Sequence, residues 1–283
     1  MTKQNSQLQR IIRTFLKNKL SVIGLIIVSV LVPVAIFASL ISPHDPTDQN
    51  VFNKLSRPDR SNLFGTDALG RDVLSRVIWG ARVSLLVGVL SVFLGMIVGT
   101  LMGIIAGYKG KKVESLIMRI VDILMSFPDE VLGIMIMVVI GSGLFKLIIV
   151  IGILLIPRFA RLTHGPALAL REREFIEAAR ALGIKDLRII ISHILPNIFG
   201  EVAVMGALWI GLAIRLEANF SFLGLGVSPP TPTWGNMIRS GIDHLMNAPW
   251  LSVFPGLAIL IVVLAFNMIG DGLRDITDPK LRY

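Results

Sequence analysis

The sequence predicts an all-α membrane protein with about six transmembrane helices. Three observations carry this. First, 53% of the 283 residues are hydrophobic and 17% are charged, with a mean hydropathy of +0.73; soluble domains carry about 25% charged residues. Second, several apolar runs reach the roughly 20 residues that a helix needs to cross a bilayer. Third, 19 of the 28 Lys and Arg residues fall in alternate inter-run segments or at the span ends that border them, which the positive-inside rule puts in the cytoplasm.

Residues 1–19 hold Lys3, Arg10, Arg13, Lys17 and Lys19 and no acid, and read as a cytoplasmic N-terminal segment. Residues 20–41 form the first transmembrane helix. Their apolar run exceeds the ~7–15 residues of a signal-peptide core, so the span is retained, with a kink at Pro33. Residues 42–82 form a polar external loop. In its stretch FGTDALGRDVLSR (64–76), Asp67 or Asp72 suits the cap of a short helix, and Arg71 and Arg76 suit pairing with the acids. The loop's basic residues run against a simple positive-inside count, a rule that weakens in long loops.

Residues 83–272 form a five-helix core. In the second span, Val83 to Gly107, Gly95, Gly99, Gly103 and Gly107 recur every fourth residue, extended upstream by Ser84 and Gly88. Such a stripe lets another helix backbone approach closely, and packing inside one bundle is favoured over a dimer face. Lys109, Lys111 and Lys112 mark the cytoplasmic side.

The third span, Arg119 to Ile140, places Arg119, Asp122, Ser126 and Asp129 on one face of one helix, with Glu130 beside Asp129 and a bend expected at Pro128. Two readings of the acids stay open. They line a translocation path and meet a substrate amine or cation, or the helix starts late and they sit at the inner interface or pair with a partner. The fourth span is Leu144 to Thr163, after a tight turn at Gly141 to Gly143. The fifth, Asn197 to Leu223, carries Glu201, Arg215, Glu217 and Asn219, too polar a set for a lipid-facing helix. Asp122, Asp129, Glu130 and Glu217 are the candidate path residues. FLGLGVSPPTPTWG (222–235) cannot sustain a helix and turns outside; Trp234 and Trp250 suit the membrane–water boundary. Leu251 to Gly270 is the sixth span. Residues 273–283 form a cytoplasmic tail, so both termini lie inside.

The net charge of +9 is explained by cytoplasmic basic loops, with membrane lipid rather than nucleic acid as the surrounding partner. There is no Cys, and the four His are scattered, so neither thiolate chemistry nor a metal site is expected.

The long polar interruption is the cytoplasmic loop at 165–196, and within it EAARALGIKDLRIIISHILP (177–196). Arg171 to Leu182 reads as a helix of good formers, with Phe175, Ala178, Ala179 and Leu182 as one narrow apolar ridge. Gly183 breaks it and Asp186 starts another. A short amphipathic helix held between two apolar segments is shaped to fit a groove in another protein.

This spacing, closing in HILPN (193–197), resembles the EAA loop of ABC importer permeases, in the branch that imports dipeptides, oligopeptides and nickel. FGTDALGRDVLSR, FLGLGVSPPTPTWG and AFNMIGDGLRDITDPKLR (265–282) resemble the same family in the same order. From about residue 10, the chain is similar to the C-type permease subunit of bacterial dipeptide/oligopeptide importers. The resemblance implies the type I ABC importer permease fold and a bacterial inner-membrane location. It implies a heterodimer with a second permease subunit, two cytoplasmic ATPase subunits and an external substrate-binding protein. ATP hydrolysis then belongs to the partners, and this chain is neither an enzyme nor a cofactor carrier. By matching position, Glu177, Ala178, Ala179 and Gly183 are implied in coupling to the ATPase. Asp122 and the SFP at 126–128 match the family, whereas Asp129 and Glu130 stand where apolar residues are expected. Peptides are the expected cargo; nickel and glutathione importers share these motifs. An ion-coupled secondary transporter would use the acids of the third span. A membrane enzyme is not supported, since H-E-x-x-H, G-x-S-x-G and a nucleophilic Cys are missing.

Overall fold

The computed structural model describes residues 18–277 and Leu16. Most of the expected segment 1–19 and the end of the 273–283 tail lie outside the described residues. Helix α1 (Lys19–Ile36) starts at Asn18, whose side-chain oxygen accepts the backbone N–H groups of Leu20 and Ser21. It breaks at Phe37, four residues past Pro33, and resumes as the turn Ala38–Ile41. Helix α2 (Val73–Lys109) is 37 residues long, about 55 Å at 1.5 Å per residue. It begins at Val73, not Val83, so the polar loop before it is shorter than expected. The reason is a local cap that hydropathy does not register. Asp72 accepts the Ser75 backbone N–H at 2.8 Å and the Ser75 hydroxyl at 2.6 Å, which starts the helix ahead of the polar positions Arg76 and Arg82.

Helices α3 (Lys111–Met125), α4 (Asp129–Ile140), α5 (Leu144–Arg171), α6 (Glu174–Ala181), α7 (Asp186–Phe222), α8 (Trp234–Gly241) and α9 (Trp250–Thr277) follow. The α7 helix carries a π turn at Ile190–Ile194. By length and apolar composition α1, α2, α7 and α9 can each cross a bilayer, and α3 with α4 makes a fifth candidate bent by 94°. The 28-residue α5 runs through the middle of the bundle, largely enclosed by its neighbours and packed most extensively on α2.

The third span is therefore not one helix, and Asp122 and Asp129 do not share a helix face. Pro128 has no N–H to continue α3. Asp129 and Glu130 then occupy the first turn of α4, where the helix dipole favours carboxylates. The acids act as a helix start.

The small-residue stripe of α2 works inside the bundle, as expected. A Cβ at Gly95, Gly99, Gly103 or Gly107 would collide with Gly152, Ile156, Ala160 and His164 backbone oxygens of α5 respectively, and one at Gly88 with Ile214 of α7. The α7 helix also packs on α9, and α1 lies against α9. Asn18 donates to Asp275 at 3.0 Å, joining the start of α1 to the end of α9.

At the opposite end, residues 42–72 fold over the starts of α2 and α9. Asp67 accepts Arg71 at 2.7 Å and faces Arg76 at 3.6 Å, and the Trp250 indole donates to the Thr66 carbonyl at 3.2 Å. The Asn62 backbone N–H, with the Ser61 hydroxyl, holds the Asp59 carboxyl below its ordinary range. Trp234 is 1% exposed, its ring against Gly80 and its N–H on the Val77 carbonyl at 3.0 Å. Both tryptophans are thus buried anchors between loop and bundle. Each indole finds a carbonyl inside the protein, so neither has to reach water.

Candidate functional site

At the bundle end that holds the α5–α6 and α6–α7 connections, α6 lies across the surface. The expected Arg171 to Leu182 helix is broken: α5 runs through Arg171, the chain turns at Glu172 and Arg173, and α6 starts at Glu174. Its first turn carries Glu174 and Glu177 and its last Arg180, an order that complements the helix dipole. Ile176 and Ala179 are buried in the core cluster that also holds Ala167 of α5 and Ile189, Ile190 and Ile194 of α7. Phe175, Glu177, Ala178 and Leu182 face outward, Leu182 at 80% exposure. The predicted ridge is thus split, with Ala179 turned inward and the other three outward. The residue that seats α6 is Ile176, legible in the sequence as the apolar position i−3 from Ala179. Leu187 and Ile191 extend the exposed apolar surface onto the start of α7.

Gly183 ends α6 with φ +75°, a conformation that glycine adopts without the Cβ penalty. Its N–H donates to the Arg180 carbonyl at 2.9 Å, and the Ile184 N–H donates to the Ala179 carbonyl at 3.1 Å. This pair of bonds is the Schellman closure of a helix. It sends the chain directly into α7.

A second group of site residues lies along α5. Asp122 of α3 pairs with Arg161 and Asp129 of α4 with Arg158, the latter at 2.5 Å. Glu130 pairs with Arg215 of α7 at 3.4 Å. Glu114 meets His164 at 2.8 Å. The structure therefore brings Asp122, Asp129 and Glu130 to one charged seam although they sit on two helices, and each faces an arginine. A cavity of about 180 Å³, lined by Leu124, Pro128, Asp129, Leu154, Pro157 and Arg158, opens beside the middle pair. Glu217 is elsewhere: it is fully buried between α2 and α7, where Ser84 and Ser221 each donate to it at 2.7 Å. It borders no accessible space and stands apart from the other three.

Sequence reasoning missed Tyr108 and Lys109, which both bond Asp186 at the start of α7. The signal was faint: one aromatic at the end of an apolar run.

The chain matches the family described as binding-protein-dependent transport system inner membrane component over residues 99–283. Residues 6–58 match the N-terminal transmembrane domain of oligopeptide transport permease C. A dipeptide transport system permease protein, DppC, from Alkalihalophilus pseudofirmus is 45% identical over 266 residues, covering 94% of this chain and 88% of the relative. A glutathione transport system permease protein, GsiD, from Pectobacterium atrosepticum is 40% identical over 271 residues, 95% of this chain and 90% of the relative. Its Escherichia coli O157:H7 counterpart is 44% identical over the same length. Among solved structures, the inward-facing MetNI methionine ABC transporter matches with a TM-score of 0.57 at 20% identity, over 72% of this chain and 98% of that one, a likeness of fold. An exposed amphipathic helix closed by Gly183, a long helical bundle and these matches converge: the chain belongs to the inner-membrane permease components of binding-protein-dependent ABC importers, in the C-type peptide branch.

Proposed function

We propose that this chain is one permease half of an ATP-driven importer of short peptides, and that α6 is the helix on which the ATPase acts. The observation that carries the coupling assignment is the two-sided build of α6. Ile176 and Ala179 seat it on the bundle core, while Phe175, Glu177 and Ala178 of this eight-residue helix, and Leu182 at its C-cap, are left outward. Glu177 and Ala178 are the contact positions, Ala179 the seat, and Gly183 the bend. The partners are a second permease subunit, two cytoplasmic ATPase subunits that hydrolyse the ATP, and an external substrate-binding protein. Both termini and α6 face the cytoplasm of a bacterial inner membrane. The uneven Lys and Arg distribution supports that orientation.

The charged seam of Asp122, Asp129 and Glu130 with Arg161, Arg158 and Arg215 borders the translocation path. Half-exposed charges are costly against lipid and are found facing wet cavities or other protein. A seam with equal numbers of acids and arginines suits a zwitterionic cargo better than a bare divalent cation. Dipeptides are the first cargo to test. Glutathione, itself a short peptide, is the second, because the GsiD relatives are as similar as DppC to within a few per cent.

The experiment is co-purification of the tagged chain in detergent, wild type beside Glu177→Lys, with ATPase assay and uptake of labelled alanyl-alanine and glutathione. Wild type is expected to recover an ATPase and a second permease, and Glu177→Lys to lose the ATPase alone. Wild type that purifies alone and transports without ATP would sink the reading.

A further inference from the structure

Tyr108 joins several elements at the α6 end of the bundle. Its ring is 4% exposed, in the last turn of α2. Its hydroxyl donates to Asp186 Oδ1, in the first turn of α7, at 2.6 Å. The same hydroxyl accepts Arg180 Nε of α6 at 3.4 Å, and the Arg180 guanidinium lies 4.8 Å from the ring centroid. Lys109 pairs with the other Asp186 oxygen. One residue on, α2 ends at Gly110 with φ +65°, in contact range of Arg171 at the end of α5. Tyr108 thus grips both sides of the α6–α7 elbow, whose central Gly183 has no atom near enough to touch even an added Cβ.

The helix that holds this grip is also the longest unbroken one among the described residues. Among the described helices of 18 or more residues, α2 alone has no proline and no break. Pro33 interrupts α1, Pro157 and Pro166 lie in α5, Pro255 in α9, and a π turn followed by Pro196 in α7. Kinks concentrate at prolines, π turns and Gly/Ser pairs; α2 lacks the first two, and its glycines from Gly88 to Gly107 are braced against α5 and α7, which suits it to carry a displacement. Its far end is fastened by Asp72 and the buried Arg76 to the 42–72 loop.

We propose that Tyr108 is a positioning residue for coupling: through Asp186 and Arg180 it fixes the α6–α7 elbow to α2, so that a push on α6 moves α2 instead of being lost in bending at Gly183. This rests on the importer reading above. The test uses the assembled importer, with both permeases, the ATPases and the binding protein, in liposomes with labelled alanyl-alanine and glutathione. Tyr108→Phe keeps the ring and its contact with Arg180 and removes only the hydroxyl. The expected result is normal recovery of the ATPase, ATP hydrolysis at least as fast as wild type, and about tenfold less cargo moved per ATP, the factor that one charge-assisted hydrogen bond represents. Asp186→Ala, at a half-exposed side chain, should do the same, and adding Tyr108→Phe to it should cost only what the longer 3.4 Å bond from Arg180 contributes. It also carries the test if Tyr108→Phe does not insert. Wild-type cargo per ATP in these variants overturns the assignment. So does a fall in uptake that tracks a fall in recovered ATPase, since that marks a role in folding or docking. A wild-type importer that recovers no ATPase overturns the importer reading and this assignment with it.

Discussion

Ser84 and Glu217, 133 residues apart, share a 2.7 Å hydrogen bond in the buried seam between α2 and α7. Ser221 satisfies the other carboxyl oxygen, and no cation lies within ion-pair distance of Glu217 among the described residues. Glu217→Ala removes both bonds and leaves a void. Each buried polar group left unpaired costs about 1–3 kcal/mol, at the low end here because a helical serine can turn back onto its own backbone. The melting temperature in detergent is expected to fall by roughly 5–10 °C. Glu217→Gln should melt close to wild type and leave cargo preference unchanged, because the side chain borders no path. Equal melting of Glu217→Ala and wild type would mean the seam does not depend on these bonds.

Gly183 separates a conformational cost from a packing cost. A Cβ there meets no atom within 4 Å, so Gly183→Ala is charged only for its φ of +75°, about 1–2 kcal/mol. Gly183→Pro fixes φ near −65° and deletes the N–H that closes α6 onto Arg180. Uptake assays should find Gly183→Ala partly active and Gly183→Pro inactive, with both chains inserted at wild-type levels. Normal uptake in Gly183→Pro would remove the elbow from the coupling route.

The α2–α5 contact predicts opposite results for two glycines. At Gly103 an added Cβ would strike the Thr163 hydroxyl and the Ala160 carbonyl, the latter backbone that cannot turn away, so Gly103→Ala should destabilise by about 1–3 kcal/mol. At Gly200 nothing lies within 4 Å, and the residue sits inside α7, so Gly200→Ala should be neutral or stabilising by up to about 1 kcal/mol. Thermal unfolding of the two variants side by side checks this. Equal behaviour would mean that α2 and α5 are not in close backbone contact.

These glycines also show what the sequence made legible. The fourth-residue stripe, the Asp72 cap and the break at Gly183 are local patterns, and each appears where its pattern lies. The direction of the bend at Pro128 was not legible. The i, i+3, i+7, i+10 spacing of Arg119, Asp122, Ser126 and Asp129 assumes one continuous helix, and one missing N–H invalidates it. The partners of the acids, Arg158, Arg161 and Arg215, come from other helices and have no fixed spacing to find. Trp234 and Trp250 read as boundary residues because composition cannot tell a lipid-facing indole from one whose N–H is met by Val77 or Thr66. Tyr108 escaped for the same reason: its two partners lie 72 and 78 residues away.

The Asp129–Arg158 pair decides whether the charged seam serves transport or only folding. The two side chains are 23% and 35% exposed, so the pair is neither a free surface bridge nor a sealed one. Removing one partner strands a partly desolvated charge, and Asp129→Leu should lower the recovery of folded chain. Replacing both, as Asp129→Leu with Arg158→Met, removes the stranded charge and fills similar volume, which for buried pairs is often neutral or stabilising. The double variant should therefore recover fold and ATPase binding. If the seam borders the path, its uptake of labelled alanyl-alanine should stay well below wild type, because the cargo's ammonium and carboxylate have lost their counter-charges along a membrane path. Uptake that returns together with folding would assign the pair to holding α4 against α5. The single variant alone cannot separate these roles, since it damages both at once.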